Sequence, residues 1–280
     1  MMIASGAFYT LQDAAMKLAL ADMPYGRAIA IRGVTSCALL LAIVHLKWGL
    51  RYLAIRNWPR QMRCAFYFIL ASFLYVYALP SLPLSVAVTG VYTTPLFTAL
   101  LAPWLLHERL DAIKFIATVF GFVGVALVAQ ADSAAISWWA LLPVASALAI
   151  AMRDVELRQL IRSENSMSII VLQQIILALC GFVYAFFEPH ASIDTSTLSD
   201  GLAALASVGA IVGAYLVTEA VRTSEITVIS PLRYTAIIWA ALLGSVLWGD
   251  RFNAIHFTGM ALVIISGTIV TLSEHRPKVP

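Results

Sequence analysis

Ten apolar segments, each about long enough to cross a bilayer as a helix, dominate this 280-residue chain and restrict what it can fold into. They run over 2–21, 26–46, 62–80, 84–106, 112–130, 137–157, 167–188, 201–221, 226–248 and 254–273. Short connections separate them, several with turn chemistry: DMPYG, PSLPL, QADSAA, EPHASIDTSTLSD and WGDRFN. Hydrocarbon offers no partner to a bare amide, so each span is expected to be helix. The composition agrees. With 61% hydrophobic and 12% charged residues and a mean hydropathy of +0.88, the chain has too much apolar surface for a water-soluble core to hide.

The same composition excludes other classes. Cys37, Cys64 and Cys180 sit in apolar runs without metal or disulfide spacing and read as packing residues. No metal, cofactor or nucleic acid is expected, because the basic residues lie in short connections and form no patch. The N-terminal apolar run carries Asp13 and Lys17 and no basic leader, so it reads as the first span, not a cleavable signal.

Orientation follows from the lysines and arginines. With an internal N-terminus, internal connections hold Lys47, Arg51, Arg56, Arg60, Arg63, Arg109, Lys114, Arg153, Arg158, Arg162, Arg222, Arg276 and Lys278, against Arg27 and Arg251 outside. A multi-pass protein of the cell inner membrane with both termini cytoplasmic is expected.

Shifted by 141 or 142 residues, the sequence matches itself in places. Asp13 and Lys17 fall on Asp154 and Arg158, Glu108-Arg109 on Asp250-Arg251, Ala78 on Ala220, and Arg32 on Gln173. Five spans is an odd number, so a second copy enters the membrane the other way up. The expected fold is all-α integral membrane, ten transmembrane helices as two inverted five-helix repeats over 1–130 and 137–273, with a short cytoplasmic tail at 274–280. Ser137, where the sixth span begins, maps about four residues before Met1, so the first helix reads as slightly short at its start, as a misplaced start codon would leave it.

The stretch LYVYALPSLPLSVAVTGVYTTPLFTALLAPWLLHERLDAIKFIATVFGFVGVALV, Leu74 to Val128, resembles the C-terminal half of an EamA domain of the drug/metabolite transporter superfamily. SPLRYTAIIWAALLGSVLWGDRFNAIHFTGMALVIISGTIV repeats the resemblance, with Asp250 where that family usually has Glu. DAAMK, Pro24 and Arg32 are similar to the first-helix pattern of the S-adenosylmethionine and riboflavin transporter branch. The resemblance implies a secondary transporter that moves a small organic metabolite by alternating access: a vitamin such as riboflavin, or a nucleoside-like or amino-acid-like solute. A metabolite or amino-acid exporter of the same fold is the alternative, and protons are a candidate coupling ion. Monomer and homodimer both stay open.

A charge at bilayer depth costs at least ~2.5 kcal/mol, so Arg32 and Arg233 need a partner or a cavity. Guanidinium forks suit an anionic or carbonyl-bearing solute, though each arginine can equally tie helices together. Tyr75, Tyr77, Tyr92, Tyr234, Trp239 and Phe97 lie near span centres, where rings can stack on a planar solute or pack the core. Asp13 and Lys17 stand i, i+4 and read as a direct pair, structural or gating, with Asp154 and Arg158 as the counterpart at the opposite surface. Glu219 is a candidate proton carrier or a partner for Arg222. Pro95 and Pro231 interrupt the fourth and ninth spans. No Walker A sequence supports ATP use. An intramembrane enzyme is the runner-up class, on His107-Glu-Arg-Leu-Asp111 alone, where Asp replaces the second ligand of HExxH.

Overall fold

The computed structural model describes residues 1–105, 112–130, 138–160, 163–188, 197–223 and 232–274; some side chains near segment ends, Arg158 and Glu219 among them, lie outside that description. Among the described residues every regular element is helical. They are α1 (Met2–Ala19), α2 (Tyr25–Lys47), α3 (Trp58–Ala78), α4 (Leu84–Val91), α5 (Thr94–Leu105), α6 (Ala112–Gln130), α7 (Leu141–Leu160), α8 (Ser166–Phe187), α9 (Thr197–Thr223), α10 (Thr235–Trp248) and α11 (Ala254–Glu274).

Prolines and an asparagine set several starts. Pro24 and Pro83 take extended backbone immediately before α2 and α4, and Asn57 caps α3 by accepting from the Arg60 N–H at 3.3 Å. Gly249, at φ 69°, ends α10 in the left-handed conformation that only glycine adopts without cost. Spans 2, 3, 4, 7 and 8 have the length and apolarity to cross a membrane on their own. The helices α1 and α7 are more polar because they carry Gln12, Asp13 and Lys17, and Arg153, Asp154, Glu156 and Arg158.

Two boundaries differ from the hydropathy reading. The third span begins at Trp58 rather than 62, because Asn57 and Pro59 start the helix ahead of the apolar run. The fourth is two helices, α4 and α5, parted at Tyr92 and Thr93. There the Thr93 hydroxyl and amide both donate to Gly90 O, at 2.6 and 3.3 Å, and the Thr94 hydroxyl donates at 2.7 Å to Val91 O, whose helical donor would be the N–H that Pro95 lacks. The residues before α10 repeat the device 141 positions on: Arg233 and Tyr234 form a turn, and the Thr235 hydroxyl donates to Leu232 O at 2.7 Å.

Packing joins the two halves. The helix α2 lies chiefly on α8, α1 on α9, α3 on α7, and α6 on α11. The α2–α8 seam runs antiparallel, with Gly26 against Ala185, Ala30 against Gly181 and Gly33 against Ala178, and any added Cβ on these glycines would strike backbone. Gly209 and Gly213 likewise seat α9 on Gln12 and on the Tyr9 ring. Across this bundle an apolar core gathers Met16, Ile29, Val76, Leu84, Leu177 and Ile237.

Candidate functional site

Polar side chains from both halves converge at mid-bundle. Asp13 lies in the middle of α1, and its carboxylate accepts from the Tyr75 hydroxyl of α3 at 2.9 Å and from the Gln12 amide at 3.1 Å. Arg32, seven residues into α2 and so about 10 Å along its axis, lies within electrostatic reach of Asp13, Tyr75 and Tyr9. Tyr9, one turn before Asp13 on the same face of α1, also reaches Arg153 and Arg233. Tyr92, at the α4–α5 break, reaches Arg233, Asp13, Tyr9 and Tyr234, and its ring centroid is 5.9 Å from that of Tyr234.

Both interrupted spans therefore deliver their irregular turns to one place, Tyr92 from the fourth and Arg233 from the ninth. Solvent reaches the cluster although it lies among helices: Arg233 is exposed, and Tyr9, Asp13, Arg32, Tyr75 and Tyr92 are partly so. Charged side chains persist at bilayer depth when they face one another or a polar space between helices, and this cluster offers both. The Nε of Arg32 has no hydrogen-bond partner among the described residues. Arginine forks and phenol rings facing one cleft can hold a carboxylate or phosphate and stack on a planar group.

Tyr234 is 2% exposed and closes the back of the cluster against Gly267 of α11. Trp239 is partly buried on α10 and has no ring or cation partner among the described residues. Tyr77 is not part of the cluster. It is 41% exposed at the Tyr25 end of the bundle, lying tilted between the rings of Tyr25 at 4.6 Å and Trp139 at 5.9 Å. Phe97 packs edge-on against Phe122 of α6 at 5.0 Å.

The Asp13–Lys17 pair expected from i, i+4 spacing is not made. Tyr75 and Gln12 hold the carboxylate, whereas the Lys17 ammonium donates to Leu82 O at 2.5 Å, lies 4.7 Å over the Trp248 ring and feels the charge of Asp250. Lys17 thereby ties the end of α1 to the α3–α4 connection and the end of α10. Asp154 also has a different partner, the Arg153 guanidinium at 2.6 Å. Arg153 was assigned to a connection by charge counting; it sits inside α7 instead, within reach of Tyr9 and Cys64. Arg63, assigned likewise, belongs to α3 and grips Glu156 of α7 at 2.9 and 3.2 Å. Arg158, Glu219, Pro231 and the 107–111 stretch fall outside the described side chains.

Tyr9, Gln12 and Arg153 went unnoticed in the sequence. A signal was there: Gln12 and Arg153 are 141 residues apart, and each donates to Oδ1 of the aspartate that follows it. At the bundle's Tyr25 end a further tie joins Arg27 to Asp200 at 2.6 Å, linking α2 to α9.

Apolar helices packed around a polar cluster, with two spans broken beside it, are the features of a multi-pass membrane protein of the transport class. The chain belongs to the EamA-like transporter family, whose pattern matches residues 1–130 and again residues 137–272, and so to the drug/metabolite transporter superfamily. Among curated proteins it is similar to an uncharacterized transporter of Helicobacter pylori, 26% identical over 72% of this chain and 70% of that one. A riboflavin transporter of Rhizobium johnstonii is 27% identical over 72% of this chain and 66% of its own. The pseudopaline exporter CntI of Pseudomonas aeruginosa is 22% identical over 92% and 90%. A solved crystal structure superposes with a TM-score of 0.65 over 99% of both chains at 19% identity, which establishes a shared fold.

Proposed function

We propose that this protein is a secondary transporter carrying a small organic metabolite across the cell inner membrane by alternating access. The convergence of Asp13, Arg32, Tyr75, Tyr92 and Arg233 on one cleft carries this reading. Residues 1–130 and 137–273 act as two copies of one unit entering the membrane in opposite senses. Matching turns at Tyr92-Thr93 and Arg233-Tyr234 support that symmetry, as does the way helices pair across the halves. Both termini face the cytoplasm, on the excess of basic residues at that side's span ends and connections.

In this scheme Arg32 and Arg233 bind the anionic or carbonyl group of the solute, while Tyr75, Tyr92 and Tyr9 flank its planar part. Trp239 and Tyr234 shape the cleft from the α10 side. Lys17 closes the external end through Leu82, Trp248 and Asp250, and Arg158 serves the cytoplasmic end. Asp13 is the central acid, suited to a coupling proton, with Glu219 as a second carrier. Vitamin-like, nucleoside-like and amino-acid-like solutes fit the mixture of guanidinium and aromatic surface. The similar proteins include a riboflavin transporter, an S-adenosylmethionine uptake transporter and a pseudopaline exporter.

Purified protein in liposomes tests this. Saturable counterflow of a labelled solute, weakened by a higher KM in Arg233→Gln with the fold intact, is expected; chemical conversion of the solute without movement across the bilayer contradicts it.

A further inference from the structure

A second polar site lies at the far end of the bundle from Lys17, where the α2–α3 connection meets the α7–α8 turn. There a cavity of about 400 Å³ is lined by Arg51, Tyr52, Arg56, Ser163, Glu164 and Asn165. Its walls are fixed. One Glu164 oxygen accepts from the backbone N–H groups of Arg56 and Asn57, at 2.6 and 2.5 Å, and the Asn165 amide donates to Tyr52 O at 3.1 Å. The other Glu164 oxygen is buried from solvent. Oε1 is thus committed to the loop backbone, while Oε2 is left without a hydrogen-bond partner among the described residues. Arg51 and Arg56 are exposed, and neither pairs with a carboxylate among the described residues. The starts of α3 and α8, the positive ends of their dipoles, border the same space.

The surroundings favour a lipid over a free solute. Leu46, Trp48, Leu50 and Trp58 are all exposed around the cavity, Leu46 at 83%. The Trp48 ring stacks on Tyr52 at 5.3 Å and lies under the Lys47 ammonium. Exposed indoles and aliphatics beside arginines at span ends are the surface that a membrane's headgroup layer covers.

We propose that this pocket binds the phosphate of an anionic phospholipid, with Arg51 and Arg56 as its cationic contacts and the Tyr52 hydroxyl as a donor. The acyl chains then run along the apolar faces of α2 and α3. The proposal does not depend on the transported solute.

The test is binding of dioleoylphosphatidylglycerol to the purified full-length protein, followed by native mass spectrometry and by the shift in thermal unfolding. Wild-type protein is expected to bind it in preference to dioleoylphosphatidylcholine. The R51Q/R56Q pair is expected to bind it about 30-fold more weakly, the effect of two basic contacts near a membrane surface. The R51K/R56K pair keeps both charges and is expected to stay close to wild type. Equal binding of the two lipids by wild-type protein overturns the proposal whatever the variants do. Undiminished phosphatidylglycerol binding by the glutamine pair also overturns it, as does stabilisation by glycerol phosphate equal to that by the lipid, which would assign the pocket to a free anion.

Discussion

Asp13 and Asp154 stand 141 residues apart at matching points of α1 and α7, yet their surroundings differ. Each accepts at Oδ1 from the preceding residue, but that residue is a neutral glutamine in the first case and an arginine in the second. Asp13 gains a tyrosine from another helix and faces Arg32 across the cleft. Asp154 is neutralised at once by Arg153, and the position matching Arg32 is Gln173, whose amide donates to the Cys64 sulfur at 3.3 Å. One scaffold position has been kept as a charged group available to the cleft and the other turned into a local ion pair. Similar backbones therefore need not hold similar chemistry, and any substrate-handling asymmetry is expected to follow the first half.

That contrast sets a ranking of effects. Asp13→Asn is expected to slow solute counterflow by about 10- to 100-fold, because a hydrogen bond to a charged group contributes about 1.5–3 kcal/mol; size-exclusion profiles should show normal amounts of folded protein. Near wild-type transport would make Asp13 no different from Asp154. Arg233→Gln is expected to raise the KM for an anionic solute by about 10-fold through loss of a charge-assisted contact, which saturation curves would measure. Lys17→Met removes a cation–π contact and a hydrogen bond that close one end of the bundle. It is expected to change transport rate by about threefold and to increase labelling of cleft positions from that end. Asp154→Asn should alter counterflow by about twofold at most, since its partly exposed pair with Arg153 contributes little. A large loss there would erase the distinction between the halves.

The helices were legible because hydrocarbon demands about twenty apolar residues and satisfied amides from each crossing. The break in the fourth span was legible as a proline, Pro95, but its place at Tyr92 and Thr93 was not. It depends on the Thr93 and Thr94 hydroxyls satisfying the carbonyls of Gly90 and Val91, the latter left without a helical amide by Pro95. In the site, Arg32, Tyr75, Tyr92 and Arg233 announced themselves as polar or aromatic groups at bilayer depth. The Asp13–Lys17 pairing misled because i, i+4 spacing describes a helix in isolation. Tyr75 and Leu82, 62 and 65 residues away from the groups they bind, offered both charges better partners. Arg153 was hidden by charge counting, which placed it in a connection although the sixth span, 137–157, contains it.

Alternating access of the cleft is tested most directly by sided labelling. Tyr92→Cys, in a background with Cys37, Cys64 and Cys180 replaced, is treated in oriented membrane vesicles with a membrane-impermeant maleimide applied to one face at a time. Labelling from both faces, with added solute shifting the balance between them, is the expected result. Reaction from a single face under every condition would contradict a site that opens to each side in turn.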